Sequence, residues 1–320
     1  MTLSLVTGAN GFIGRHLCAR LLEDGRDVRA LVRSTTNPLP GAHYVIGELT
    51  DEAVLVEALT GVQCVVHLAG RAHQLNDTSA SPLDDFRAIN RDATVSFAKQ
   101  CIAAGVRRFV FISSIGVNGA ETLRAPITEM SDPAPHAPYA VSKWEAEVEL
   151  QDLLRNSAME LVIIRPPLVY AAHAPGNFKR LLKLVSLGVP LPFGLVNNRR
   201  SMISLANLTD LIRLCMDHPK AAGELFVVSD GEDLSLPEIL KHLGTGMSRR
   251  CSLLPVPVGL MTCAAAIVGK SSMVNQLCGS LVVNSAKSRT LLGWVPLQTP
   301  ADALLEAGRA YVKEKMAVKH

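Results

Sequence analysis

The chain has no CxxC pair, no HExxH motif and no apolar run long enough to span a bilayer. Its seven cysteines (18, 64, 101, 215, 251, 263 and 278) lack the spacing of a zinc site or a redox pair. Four of them fall in strongly apolar or helical stretches, so the cysteines read as small core residues in a reducing compartment. Nine histidines without ligand spacing predict no metal site. The longest apolar stretch, Val258 to Val268, contains Gly259 and Thr262. It is well short of the about 20 residues a spanning helix needs, so it reads as a buried helix and no membrane insertion is expected. No basic region or long apolar run precedes Gly8, which argues against a signal peptide and for a cytoplasmic protein. Lys plus Arg number 32 against 29 Asp plus Glu, and the basic residues cluster at most as pairs (Arg107-Arg108, Arg199-Arg200, Arg249-Arg250). That scatter excludes a nucleic-acid-binding face. Aromatics are only 4%, so small aliphatic packing should dominate.

What is present is a soluble globular composition, 48% hydrophobic, in 320 residues, enough for one large domain or two unequal ones. The chain opens with a strand (Leu3 to Val6), a glycine turn (Thr7-Gly8-Ala9-Asn10-Gly11-Phe12-Ile13-Gly14) and a helix (Arg15 to Leu22). Gly8 permits the tight turn, Gly11 lets the backbone approach a pyrophosphate, and Gly14 lets the helix pack closely on the sheet. The helix N-terminus then faces the phosphates. A second strand, Asp27 to Val32, ends at Arg33, where an NAD-preferring site would carry an acid. A guanidinium there can fork onto a 2′-phosphate, so NADP(H) is favoured with NAD(H) the alternative, unless Arg33 is simply a solvated loop residue. Strands at Tyr44 to Ile46 and Cys64 to Leu68 alternate with a helix from Asp51 to Leu59. This alternation predicts an α/β Rossmann-type, doubly wound parallel sheet with its ligand at the strand ends. Pro82 to Ala104 reads as one long amphipathic helix covering a sheet face.

The strand Phe109 to Ile112 emerges into Ser113-Ser114, and Tyr139-Ala140-Val141-Ser142-Lys143 follows a proline-rich loop. On a helix, Tyr139 and Lys143 share one face. Moving a phenol from ~10 toward 7 requires roughly 4 kcal/mol, which a unit charge about 4 Å away supplies at an effective dielectric near 20. Lys143 is therefore expected to draw down the pKa of Tyr139 and make it an acid/base, with a serine hydroxyl aiming the substrate oxygen.

These motifs together resemble the NAD(P)-dependent epimerase/dehydratase family of extended short-chain dehydrogenases, which act on nucleotide sugars, and the resemblance spans nearly the whole chain. Aligned on Val117-Asn118-Gly119, it places the catalytic residues on Ser114, Tyr139 and Lys143. It places the cofactor on Gly8, Asn10, Gly11, Phe12, Ile13, Gly14, Arg33, Glu48, Leu49, Leu68, Ala69, Gly70, Asn90, Tyr139, Lys143 and Pro166. Glu48 stands for the family's usual Asp, and Asn90 could equally lie on the wet side of its helix. The 4,6-dehydratases of the family carry Asp-Glu after the serine; Ile115 and Gly116 stand here and move no proton, which argues against dehydration.

The resemblance also implies an interleaved substrate domain, 169–203 and 230–320, against a dinucleotide-binding domain of 1–168 and 204–229. Ser114, Asn177 and Arg200 would meet the UDP-sugar, with helix capping and a solvated arginine pair as the alternatives for the last two. No second basic residue for the diphosphate is evident beyond Lys270. The implied activity is NADPH-dependent reduction of a 4-keto sugar to UDP-N-acetylquinovosamine in surface-polysaccharide (O-antigen) synthesis. The alternative is a UDP-glucose or UDP-N-acetylglucosamine 4-epimerase with tightly held NAD. The family often forms homodimers by pairing the helices that here are Pro82 to Ala104 and the one beginning at Tyr139.

Overall fold

The computed structural model describes residues 2–35, 38–71, 81–122, 124–267 and 271–317. The first half runs β1 (Ser4–Thr7), α1 (Phe12–Glu23), β2 (Val28–Val32), β3 (His43–Ile46), α2 (Glu52–Leu59), β4 (Cys64–His67), α3 (Pro82–Arg87), a π-helical turn (Ala88–Asp92), α4 (Ala93–Ala103) and β5 (Arg108–Ile112). It continues with α5 (Pro138–Leu154), β6 (Glu160–Arg165), β7 (Leu168–Tyr170), α6 (Gly176–Ser186), β8 (Met202–Ser204), α7 (Leu205–Asp217) and β9 (Leu225–Val227). The last helices are α8 (Leu236–Gly246), α9 (Val258–Ile267), α10 (Ser271–Cys278), α11 (Ala286–Leu292) and α12 (Pro300–Ala317).

Among the described residues, seven parallel strands pair in the order β3-β2-β1-β4-β5-β6-β9, as the alternation of elements predicts. Successive side chains of each strand go to opposite faces. Leu5, Val65, Phe109 and Ile163 pack with Leu55 of α2, Phe97 of α4 and Leu150 of α5. Val6, Val66, Val110 and Val162 pack with Leu17 of α1 and Leu211 of α7. Both faces are covered, which is why the strands read as unbroken apolar runs rather than alternating ones. A third cluster joins α6, α8 and α12 through Phe178, Leu182, Leu240, Leu243 and Leu304, beside the small parallel sheet β7-β8.

Local signals account for most boundaries. Asp51 caps α2 by accepting from Ala53 N and Val54 N (3.1 and 3.2 Å). Ser235 and Glu238 form a capping box at α8. Trp294 is buried and donates to Asp210 Oδ2 at 3.0 Å.

Three expectations are corrected. The single helix from Pro82 to Ala104 is interrupted by the π turn. The stretch beginning at Val258 is helical but only half buried: Met261 and Ala265, four residues apart, face the third cluster's side, whereas Leu260 and Cys263 are exposed. Helical spacing lets one stripe pack and leaves the other outside. Cys18, Cys64, Cys101 and Cys215 are core residues, but Cys251 and Cys278 are half-buried and Cys263 is not in the core.

Candidate active site

The strand order reverses between β1 and β4, so a cleft opens where their carboxyl ends diverge. Gly8 leaves β1 at φ 65°, and a Cβ there would lie 2.8 Å from Ala69 N. A Cβ on Gly14 would lie 2.3 Å from Gly8 O. Turn, helix and the segment after β4 therefore close to backbone contact only because both are glycine. Thr7 Oγ1 accepts from Leu68 N and Ala69 N (3.2 and 3.1 Å) and stands 2.9 Å from His67 Nδ1. With both backbone donors on its oxygen, the Thr7 hydroxyl donates to Nδ1, and His67 Nε2–H donates to Thr94 Oγ1 at 3.0 Å. Burial, aided by the charge of Lys143, pushes the imidazole down to about 3, so it is neutral. One hydrogen-bond chain thus ties the glycine turn to Leu68-Ala69-Gly70.

Asn90 lies in the π turn and is fully buried, not on the wet side of a helix. Its Oδ1 accepts from Arg71 N (2.8 Å), and its Nδ2 donates to Arg71 O (3.2 Å) and Ser142 Oγ (3.1 Å). Ser142 in turn donates to Tyr139 O at 2.8 Å. A Cβ on Gly70 would sit 2.9 Å from Asn90 Oδ1 and 3.7 Å from Lys143 Nζ. Gly70, Asn90 and Lys143 accordingly converge on one point, and α5 carries Tyr139 one turn before Lys143.

Lys143 Nζ donates to Ile112 O at 2.9 Å and lies 4.5 Å from the centre of the Phe111 ring. Burial lowers its pKa to about 8, opposed by the Glu147 carboxylate. Tyr139 is half-buried, edge-on to Phe86 with centroids 6.0 Å apart, and burial pushes its phenol up to about 12. The expectation that Lys143 draws the phenol down is not met: the ammonium is spent on the Ile112 carbonyl and desolvation dominates. Of the two serines leaving β5, Ser113 is buried, whereas Ser114 is partly exposed and its Oγ accepts from Gly116 N at 3.1 Å.

Sequence reasoning missed a buried clamp beneath these residues. Glu147, one turn after Lys143, receives a forked contact from Arg165 through Nε (3.0 and 3.2 Å) and Nη2. Arg165 Nη1 donates to Asn118 Oδ1 at 3.0 Å. Ile115 N donates to Pro166 O at 3.0 Å. The end of β6 thereby fastens α5, which bears Tyr139 and Lys143, to the turn that follows Ser114. The signals were available: Glu147 is at i+4 from Lys143, and Arg165 closes an otherwise apolar strand.

The other expected residues spread around this centre. Phe12 and Ile13 open α1; Phe12 meets His173 edge-on with centroids 5.2 Å apart. Asn10 Nδ2 donates to Ser34 O at 2.5 Å, joining the glycine turn to the exposed Arg33 at the end of β2. Glu48 is exposed and Leu49 packs on the helix-α2 side of the sheet. Asn177 lies in the first turn of α6, where Pro175, not Asn177, is the N-cap. Arg200 Nη1 donates to Gln276 O and Gly279 O (2.8 and 2.9 Å), and burial lowers its pKa. Lys270 lies outside the described residues. Among the described residues no group of His, Cys, Asp and Glu is arranged to hold a metal ion.

The sequence profile of the NAD dependent epimerase/dehydratase family matches residues 4–229. The chain belongs to this family. It is 40% identical over 312 residues to a UDP-glucose 4-epimerase of Vibrio cholerae, covering 97% of this chain and 95% of that protein. Two solved structures share the fold. A short-chain dehydrogenase/reductase superfamily protein of Agrobacterium tumefaciens with bound NAD superposes with a TM-score of 0.78 at 23% identity, covering 99% of both chains. UDP-glucose 4-epimerase of Thermotoga maritima with UDP-glucose gives 0.76 at 22%, covering 98% of this chain and 100% of that one. The family's dinucleotide fits the residues present: α1 begins directly after the glycine turn, its N-cap is Gly11, and no side chain caps the N–H groups of its first turn, which suits a phosphate. Family membership makes this cleft that of an NAD(P)-dependent enzyme of the extended short-chain type.

Proposed function

We propose that the protein is an NADPH-dependent reductase of the 4-keto group of a UDP-sugar, giving UDP-N-acetylquinovosamine for surface polysaccharide. The observation that carries the choice is Arg33, exposed beside Ser34 at the end of β2 with no acid in the position that would select NAD. The dinucleotide, when bound, supplies the hydride. Gly8, Asn10, Gly11, Phe12, Ile13 and Gly14 would hold its diphosphate end, Arg33 its 2′-phosphate, Glu48 and Leu49 its adenine, and Leu68, Ala69, Gly70, Asn90 and Pro166 the nicotinamide side.

Tyr139 donates a proton to the sugar's C4 oxygen as that carbon is reduced. A phenol whose pKa burial raises to about 12 carries that proton at pH 7, which suits donation better than abstraction. Ser114 Oγ holds the same oxygen, and Lys143 keeps a positive charge beside the developing negative one. Residues 1–168 and 204–229 form the dinucleotide half in this reading. Residues 169–203 and 230–320 form the substrate half, with Asn177 and Arg200 toward the nucleotide and its diphosphate. Two copies would pair through α3, α4 and α5.

The Vibrio cholerae relative favours a second reading, a 4-epimerase of a UDP-sugar with retained NAD. One experiment separates them. The purified enzyme is given UDP-N-acetylglucosamine, then its 4-keto-6-deoxy derivative with NADPH, and products are read by mass and NMR. A gain of two hydrogens with NADPH consumed supports the reductase; an isomer of unchanged mass without NADPH turnover supports the epimerase.

A further inference from the structure

No Asp or Glu occurs from Leu161 to Thr209 or from Ile239 to Ala301. Three pieces of the chain meet at one end of the third hydrophobic cluster. The C-terminus of α6 lies against the segment linking α8 to α9: Gly188 is beside Arg249, whose Nη1 would stand 3.0 Å from a Cβ there. Leu191 exchanges backbone hydrogen bonds with Ser252 O and Leu254 N (2.9 and 2.7 Å). The end of α12 arrives beside them, with Lys315 Nζ donating to Ser186 Oγ at 3.2 Å.

The surface at this junction combines two features. Lys183, Arg249, Arg250 and Lys315 are exposed, and none forms an ion pair among the described residues. Glu314 is the acid on the same end of α12. Among these cations stand Leu187, Leu254 and Met316, exposed at 58, 47 and 62%. Cations that interleave with outward-pointing leucines match a bilayer interface, where headgroups take the charge and the acyl boundary takes the side chains. Among the described residues no helix is long and apolar enough to cross a membrane, so the contact is peripheral.

We propose that the ends of α6 and α12, with the α8–α9 connection, dock the enzyme on an anionic lipid bilayer. The occupant follows from charge complementarity: an excess of unpaired cations over one acid has no use for a neutral surface. The face is built from elements other than α3, α4 and α5, so docking leaves those helices free.

The test is co-sedimentation of the full chain with vesicles of phosphatidylcholine containing about one third phosphatidylglycerol, against phosphatidylcholine alone, at low and high salt. Binding to the anionic vesicles that weakens with salt is expected. Lys183→Glu/Arg249→Glu/Arg250→Glu should bind about 10²-fold more weakly. Leu187→Ser/Leu254→Ser should retain low-salt binding and lose roughly tenfold at high salt. Both variants change exposed side chains, so unchanged thermal unfolding and cofactor binding confirm that they are folded. Equal binding to both vesicles, no binding, or triple-variant binding equal to wild type overturns the proposal. So does a lipid-independent change of oligomeric mass in the triple variant, which would assign the face to a second copy.

Discussion

Thr7 Oγ1 and His67 Nδ1 lie 2.9 Å apart, and through that contact the last residue of β1 and the last of β4 hold the same loop. The contact requires His67 neutral, with its proton on Nε2. Its pKa is about 3 in the fold against 6.5 in the unfolded chain. Between those values the unfolded state binds the extra proton, so the stabilisation is complete above pH 6.5 and is lost as pH falls toward 3. The slope reaches at most about 1.4 kcal/mol per pH unit. His67→Phe should abolish this component and cost roughly 1–3 kcal/mol at pH 7, because two buried hydroxyls lose a partner. Urea unfolding from pH 4 to 8 checks it; parallel stability curves for the two proteins would contradict the assignment.

Arg33→Asp should reverse the cofactor preference. Losing a charge-assisted contact to the 2′-phosphate weakens NADPH by roughly 10- to 100-fold, while NADH is little affected or improved. Fluorescence titration of both reduced dinucleotides measures this, and an unchanged ratio would remove the main support for NADPH.

Tyr139→Phe should reduce turnover roughly 10²-fold or more while leaving cofactor affinity within a fewfold. The pH profile follows from Lys143, at about 8. Reduction should be steady at lower pH and fall as Lys143 loses its proton, and Lys143→Arg, where it retains activity, should move that fall to higher pH. A profile of kcat/KM for both proteins decides it.

Breaking the buried clamp on one side should be worse than removing it whole. Glu147→Gln strands the Arg165 guanidinium and should cost about 3–5 kcal/mol, whereas Glu147→Gln/Arg165→Met should cost less than Glu147→Gln alone. The carboxylate also holds the pKa of Lys143 up, so Glu147→Gln should shift the alkaline fall in activity to lower pH. Stability by urea unfolding and the pH profile together distinguish this from simple loss of packing.

The sheet and the glycine turn were legible because their signals are local: an apolar run, a glycine at a positive φ, a capping Asp51. The second strand was expected at Asp27 to Val32 and lies at Val28–Val32. What was not legible depends on contacts distant in the chain. Glu147 and Arg165 each read as ordinary charges, and only the fold brings them together under Lys143. Asn90 was assigned to the site by resemblance, but its burial was hidden, because helical periodicity is unbroken only in an α-helix and this asparagine sits in a π turn. Leu260 was expected inside since composition does not tell which stripe of a uniformly apolar helix finds a partner.

That π turn sets a constraint on chain length. Each residue rotates a helix by about 100°, and the wider turn resets the phase between α3 and α4. Phe86 is thereby aimed at Tyr139 while Phe97 and Cys101 are aimed at the sheet. Removing one residue from Ala88–Asp92 would leave a straighter, more regular helix with one of those two aims wrong. Substitutions in this segment are tolerable in kind; an insertion or deletion is a clocking error that no side-chain change repairs.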